Sequence, residues 1–388
     1  MSAAASPLLV CPLTRQPLRL LPAVALSAGR DAQGALQLLR DGEPLPAAPT
    51  ERVLLREDGR VAYPVVDGIP LLLGPEAIAV APAAAGRVPA VATPAAPVLP
   101  AGGRYAEAYA EMAHYNAVAA AHRRALAGSA VAASVAPARR ASAADRRTFP
   151  DPALRWLDLL YDLPAQHRAY RHLAPLAGRR LLQAGGSGVQ AVVLLLAGAA
   201  EAWLASPMLD ELRLANALAE SVGVADRLFC VAAIGEELPF MAESFDGAFC
   251  PGSLHHMDTA AALPEFARVL RPGGRFAACE PWRAPLYGLG TRLFGKVEPG
   301  VHCEVFTAPR LRPLFTAFPG ARVEHHGALT RYPLVALQKF GLRPGRRLAW
   351  AIARADDGVC SRLPWLARQG SSLALLGTRP APGLPGHC

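Results

Sequence analysis

The sequence predicts an α/β protein: a doubly wound, mostly parallel sheet in the second half, preceded by a small β-rich domain. Three observations predict it. From residue 180 onward, short apolar runs alternate with helix-length stretches. Such alternation implies right-handed crossovers that put helices on both faces of a parallel sheet. Before residue 77, short apolar runs are instead separated by tight-turn signals, Asp58-Gly59 and Asp67-Gly68, without room for a helix. Finally, 388 residues with 52% hydrophobic and 18% charged side chains exceed one typical domain and exclude a mainly disordered chain.

Taken in order, residues 53–55, 61–66 and 69–73 read as strands of a unit spanning 1–76. Residues 77–103 are alanine, proline and valine with almost no charge, so they read as a linker. Residues 104–388 form the large unit, with a core over 150–320 and a basic part over 321–388. Tyr105, Tyr109 and Met112 recur at helical spacing over 104–124. A loop rich in arginine (Arg139, Arg140, Arg146, Arg147) follows, then a helix over 152–173 with Trp156, Leu159, Leu160 and Tyr170 on one stripe. Strands are expected at 181–182, 202–204, 228–234, 247–250 and 275–280, with helices to residue 197 and over 208–222 and 259–270. Pro272-Gly273-Gly274 ends the last of these. Residues 322–326 and 372–377 supply two final strands around a helix at 343–354. Residues 181–200 carry no charge and match a bilayer span in length. Gln183, Ser187, Gln190 and the glycines between them favour a strand, a turn and a buried helix instead.

Net charge is +9, and only two lysines occur, Lys296 and Lys339. A GC-rich coding sequence favours arginine and alanine, so this basic balance does not point to a nucleic-acid partner. Seven cysteines without a CxxC pair argue against a disulfide framework and for buried apolar thiols in a reducing compartment. The first ten residues lack the basic-then-apolar pattern of a signal peptide, so a cytoplasmic location is expected.

Four motifs in the second half occur in a recognisable order. They are Glu237-Leu238-Pro239-Phe240, Ser244-Phe245-Asp246-Gly247, Leu254-His255-His256-Met257 and Phe266-Ala267-Arg268-Val269-Leu270-Arg271-Pro272-Gly273-Gly274, the last running into Glu280-Pro281. Together they resemble class I S-adenosylmethionine-dependent methyltransferases of the small-molecule type. The resemblance covers about 150–320 and implies a Rossmann-like, seven-stranded doubly wound sheet with its ligand at the carboxyl ends of the strands. It implies cofactor contacts at Gly185, Gly186, Gly188 and Glu236. Three positions depart from the family pattern. Gln183 stands where an acid opens the glycine turn, Leu204 where an acid accepts the ribose hydroxyls, and Ile234 where an acid meets the adenine. Each lost charge-assisted hydrogen bond is worth about 1.5–3 kcal/mol. This predicts no bound cofactor and a non-catalytic scaffold within a larger assembly. The alternative is an active methyltransferase that binds S-adenosylmethionine and acts on a small molecule.

His255, His256 and Glu280 are the candidate catalytic residues. Adjacent histidines point different ways, which favours lining over a shared metal or a dedicated base. Glu280 either orients a substrate or caps a turn. The N-terminal unit, with Cys11-Pro12-Leu13-Thr14 and Tyr63-Pro64-Val65-Val66-Asp67-Gly68-Ile69-Pro70, resembles the small zinc-ribbon-like proteins that activate methyltransferases. Thr14 replaces a ligand cysteine, and one thiolate cannot build a tetrahedral site, so no metal is expected. Fusion in one chain suggests docking in cis. Residues 321–388 hold ten arginines and lysines against three acids, a surplus of seven. With Trp350, Leu363, Trp365 and Leu366, this part is the expected contact for a protein partner or an anionic membrane surface.

Overall fold

A computed structural model describes residues 7–22, 39–40, 43–44, 52–79, 104–126, 163–284, 304–328, 340, 342 and 346–381. The expected arginine-rich loop, Trp156, most of the linker (80–103), Cys303 and Cys388 lie outside the described residues.

The large unit is a seven-stranded sheet. Its strands are β6 (Arg180–Ala184), β7 (Glu201–Ala205), β8 (Leu228–Val231), β9 (Phe245–Pro251), β10 (Leu270–Pro281), β11 (Arg322–His326) and β12 (Ser372–Thr378). Their spatial order is β8-β7-β6-β9-β10-β12-β11. All neighbours pair in parallel except β12, which runs antiparallel to both β10 and β11. The order reverses between β6 and β9, and a crevice at the carboxyl ends of the strands is the usual ligand position there. β10 begins at Leu270 and runs through the Pro-Gly-Gly turn, so the ladder continues where a helix stop alone was expected.

Helices cover both faces. α2 (Leu163–Leu173) packs on β10 and β12, and α3 (Val189–Leu196) and α4 (Leu209–Ser221) lie over β6–β8. α5 (Thr259–Val269) and α6 (Arg312–Ala317) pack together. Asp258 caps α5 by accepting from the Ala260 N–H, which satisfies one of the orphan donors of the first turn. α3 is VQAVVLLL and is buried from Gln190 to Leu195; its neighbours, not an amphipathic pattern, explain the uncharged stretch. No helix among the described residues is long and apolar enough to cross a membrane.

The N-terminal unit is an antiparallel sheet of β1 (Leu18–Pro22), β2 (Arg52–Arg56), β3 (Val61–Val66), β4 (Ile69–Pro70) and β5 (Ile78–Ala79). β5 pairs with Val61 and Ala62, so the ladder extends into residues expected to be linker. Leu71 bridges Ala232 in parallel, just past the edge strand β8, and thereby covers an otherwise open sheet edge. The contact continues along one segment. Leu72 N–H donates to Ala232 O at 2.8 Å, Val10 N–H to Pro239 O at 3.0 Å, and Met241 N–H to Leu8 O at 3.0 Å. Arg15 donates to Leu238 O at 2.7 Å and pairs with Glu265 at 2.8 Å. Leu9, Cys11, Leu54, Tyr63 and Leu72 share one apolar core with Trp203, Phe240 and Phe245. Cys11 is a packing residue here, its Sγ 3.1 Å from Tyr63 Oη. Among the described residues no cluster of three or more metal-ligating side chains occurs.

A polar cluster sits where α2 meets β11 and α7 (Arg346–Arg362). Arg168 bridges Glu324 at 3.3 Å and Asp357 at 3.2 Å, and buried His326 lies 3.8 and 3.6 Å from the same carboxylates. Burial dominates, with Arg168 adding to it, and holds His326 near a pKa of about 3. Burial likewise lowers His167 and His325 to about 4. These folded values lie below the unfolded value near 6.5. The unfolded chain therefore binds more protons once the pH drops below 6.5, and stability complete above that value is lost towards pH 4. His326 and His167 are each expected to cost about 2 kcal/mol between pH 6.5 and 5. Urea midpoints at pH 7 and pH 5 check this, and His326→Phe should flatten the difference.

Candidate functional site

The turn after β6 is built by glycine. Gly185, Gly186 and Gly188 have φ of 75°, 74° and 78°, a region where a Cβ is strained. Gln183 holds this turn from beneath. Its Oε1 accepts from the Ala191 N–H at 2.6 Å, and its Nε2 donates to Gly185 O at 2.8 Å. The amide thus ties the turn to the first residues of α3. A carboxylate could accept but not donate, so glutamine here is a structural tie with both functions in use.

The turn floors a cleft of about 130 Å³. Gly185 and Gly186 line it; Gly188 does not, and instead packs its Cα against Ala215 and Leu204 as the left-handed cap of α3. Leu204 is fully buried among the helices on that side, and Trp203 stacks on Phe229 on the other. Neither fills the cleft. Ile234 lines it as an apolar wall beside Gly235, and Glu236 lines it while its Oε1 accepts from the Asp258 N–H at 2.9 Å.

Two further carboxylates reach the cleft, and the sequence reading missed both. Ser206 Oγ donates to Glu211 Oε2 at 2.8 Å and accepts from the Met208 N–H at 3.1 Å, so the residue that follows β7 holds Glu211, six residues past the strand, at the cleft. Glu111 comes from α1 (Arg104–Leu126), whose helix was expected but whose place over the cleft was not. α1 packs along α4, where Asn116 accepts from the Asp210 N–H at 3.0 Å. Helical phase then turns Ala108, Glu111 and Tyr115 to the cleft together. Among the described residues, the cleft lining includes three glutamates and no lysine or arginine, in a chain of net charge +9.

His255 and His256 do not diverge as expected; their rings lie side by side, 4.1 Å between centroids and tilted by 40°. They take different carboxylates. His256 lines the cleft with Nδ1 3.1 Å from Glu111 Oε1, and Tyr115 meets its ring edge-on at 5.9 Å. His255 Nδ1 sits 2.7 Å from Glu280. Glu280, with its side chain fully buried, also accepts from the backbone N–H groups of Ser253, Leu254 and His255 at 3.2, 2.9 and 3.2 Å. These bonds cap the turn that follows β9. Ser253 Oγ donates to Ala184 O at 2.7 Å and seats the same turn over Gly185. Burial, with Glu280 nearby, pushes the Cys250 thiol well above its usual range, so it is no thiolate nucleophile at neutral pH.

Residues 182–278 match the family described as a methyltransferase domain. The matched residues span the strands from β6 to β10 of the doubly wound, Rossmann-like sheet. Curated proteins similar to the chain include the O-methyltransferase rstn1 of Aspergillus nomiae, 36% identical over 110 residues, or 28% of this chain and 49% of that one. Methyltransferase GfsG of Streptomyces halstedii is 34% identical over 136 residues, 34% of this chain and 48% of that one. The 27-O-demethylrifamycin SV methyltransferase of Amycolatopsis mediterranei is 39% identical over 103 residues, 26% and 38%. The chain spans about half, or less, of the length of these relatives. Among solved structures, a geranyl diphosphate methyltransferase in complex with S-adenosylmethionine aligns with a TM-score of 0.42 and 18% identity over 62% of this chain and 94% of that one.

Proposed function

We propose that the cleft binds S-adenosylmethionine and that the chain is a methyltransferase acting on a small molecule. The observation that carries this is the cleft itself, open over a glycine floor and lined by Glu111, Glu211 and Glu236 without a lysine or arginine among the described residues. Such a lining favours a cationic ligand. The fit can be tested residue by residue. Gly185 and Gly186 let the backbone approach the methionyl part. Glu211, held by Ser206, supplies the ribose acceptor that Leu204 lacks. Ile234 offers the purine an apolar wall, and Glu236 stands two residues further on. When bound, the cofactor supplies an electrophilic methyl group on a sulfonium. Glu111 fixes the His256 ring at the cleft wall, where, with Tyr115, it orients an incoming acceptor.

A second reading, a methyltransferase fold retained as a non-catalytic scaffold, is favoured by one observation: Leu204 and Ile234 are buried apolar side chains where the family carries acids. The two readings part at Glu211. Glu211→Gln keeps a hydrogen-bonding partner for Ser206 but removes the charge. It is expected to weaken S-adenosylmethionine binding about 10- to 100-fold, the worth of one charge-assisted hydrogen bond, with the melting temperature of the free protein little changed. Thermal-shift titration of both proteins measures this. Equal ligand shifts in the two would remove Glu211 from the site, and no shift in the parent protein would favour the scaffold.

A further inference from the structure

We propose that α7 and α8 (Pro364–Ala367), with Phe340 and Leu342, form a surface that docks on an anionic lipid bilayer. The inference is independent of the cleft and its ligand. It rests on how charged and apolar side chains are sorted in the C-terminal part.

The acids of this region are used internally. Asp356 is fully buried and accepts from the Gly327 N–H at 2.7 Å. Asp357 pairs with Arg168 at 3.2 Å, and Glu324 pairs with the same guanidinium at 3.3 Å. Arg354, Arg362 and Arg368 are left exposed, and none forms an ion pair among the described residues. Among the described residues, Arg362 bonds only the carbonyl of Gly358, in its own helix. The segment therefore shows solvent its cations, while its carboxylates are buried or paired.

Large apolar side chains accompany these cations. Of the nine exposed large hydrophobics among the described residues, Phe340, Leu342, Leu348, Leu363 and Trp365 fall within one 26-residue stretch of sequence. Phe340 is 78% exposed and Trp365 66%. Scattered single apolar residues are normal on a protein surface. Five within one cationic stretch of sequence, with a tryptophan where two helices join, match the two signals that interfacial membrane binding needs. A bilayer asks only for apolar side chains that insert and cations that meet lipid phosphates. Charge complementarity therefore commits the surface to anionic lipid.

The test is flotation of the full chain with phosphatidylcholine vesicles, with and without about 30% phosphatidylglycerol, at low and high salt. Retention is expected on the anionic vesicles alone and should fall as salt rises. Replacing Arg354, Arg362 and Arg368 together by glutamine should lower partitioning about 100-fold, at roughly fivefold per arginine. Trp365→Ser should weaken retention at every salt concentration, and it carries the test if the triple variant melts early. No retention on anionic vesicles, as an acidic protein partner would give, overturns the proposal. Equal retention on neutral vesicles, or variants that bind like the parent, overturn it as well.

Discussion

Gly185→Ala is expected to abolish ligand binding in the cleft and to destabilise the protein by about 3 kcal/mol. Two costs add. With φ at 75°, any Cβ is strained by roughly 1–2 kcal/mol. That Cβ would also stand 2.4 Å from both Cβ and Oγ of Ser253. Ser253 cannot move freely, because its hydroxyl is bonded to Ala184 O and lies 3.1 Å from the Cys250 thiol. Either the glycine turn or the turn after β9 must shift, and both line the cleft. Gly186→Ala is the control for stability. Its φ is nearly the same, but the nearest atoms to its Cβ are 3.6 Å away, so only the backbone strain of about 1 kcal/mol remains. Urea denaturation of the two variants separates them. Equal losses would mean that the contact with Ser253 does not matter.

Glu280→Ala should be the most damaging substitution outside the glycine turn, at about 4 kcal/mol. The buried carboxylate gathers three backbone N–H groups and the ring of His255 into one knot. Removing it leaves those donors buried without an acceptor, and losing one partner of such a group typically costs about 3–5 kcal/mol. Glu280→Gln should cost less, about 2 kcal/mol, because one oxygen still accepts. Its amide N–H, however, opposes the donors on the other side. The His256 face of the cleft should loosen in both variants, since backbone hydrogen bonds from His256 to Ser253 and from Met257 to Leu254 tie it to the residues Glu280 caps. If Glu280→Ala melts like the parent while ligand binding alone is lost, Glu280 contacts substrate and the capping role is wrong.

Much of the sheet could be read from residues 180–280 because its strands and helices are short, local and separated by Gly and Pro. The final strands at Arg322–His326 and Ser372–Thr378 follow from the same alternation. Local pattern was blind to two kinds of feature. One was β1, Leu18–Pro22, whose Pro-flanked, short apolar run resembles a loop until it pairs with Arg52–Arg56. The other was every cleft residue that arrives from elsewhere in the chain. Glu111 precedes the sheet by some seventy residues and reaches the cleft only because α1 lies along α4. Glu211 left a faint signal, a carboxylate five residues after Ser206 at the start of a helix, but a motif search looks at Leu204 and stops there. Reading Leu204 as a lost anchor was sound as chemistry. That reading treated the anchor's position as fixed and did not weigh a carboxylate seven residues on, in the first turn of α4.

The central claim is that these displaced carboxylates still make a nucleoside site. Calorimetric titration of the full chain with S-adenosylhomocysteine tests it most directly. One saturable site with a dissociation constant below about 100 μM, roughly −5.5 kcal/mol of binding free energy, is the result expected. No saturable heat up to about 1 mM ligand, from protein that melts cooperatively, would contradict it and leave the apolar replacements at Leu204 and Ile234 as the deciding fact.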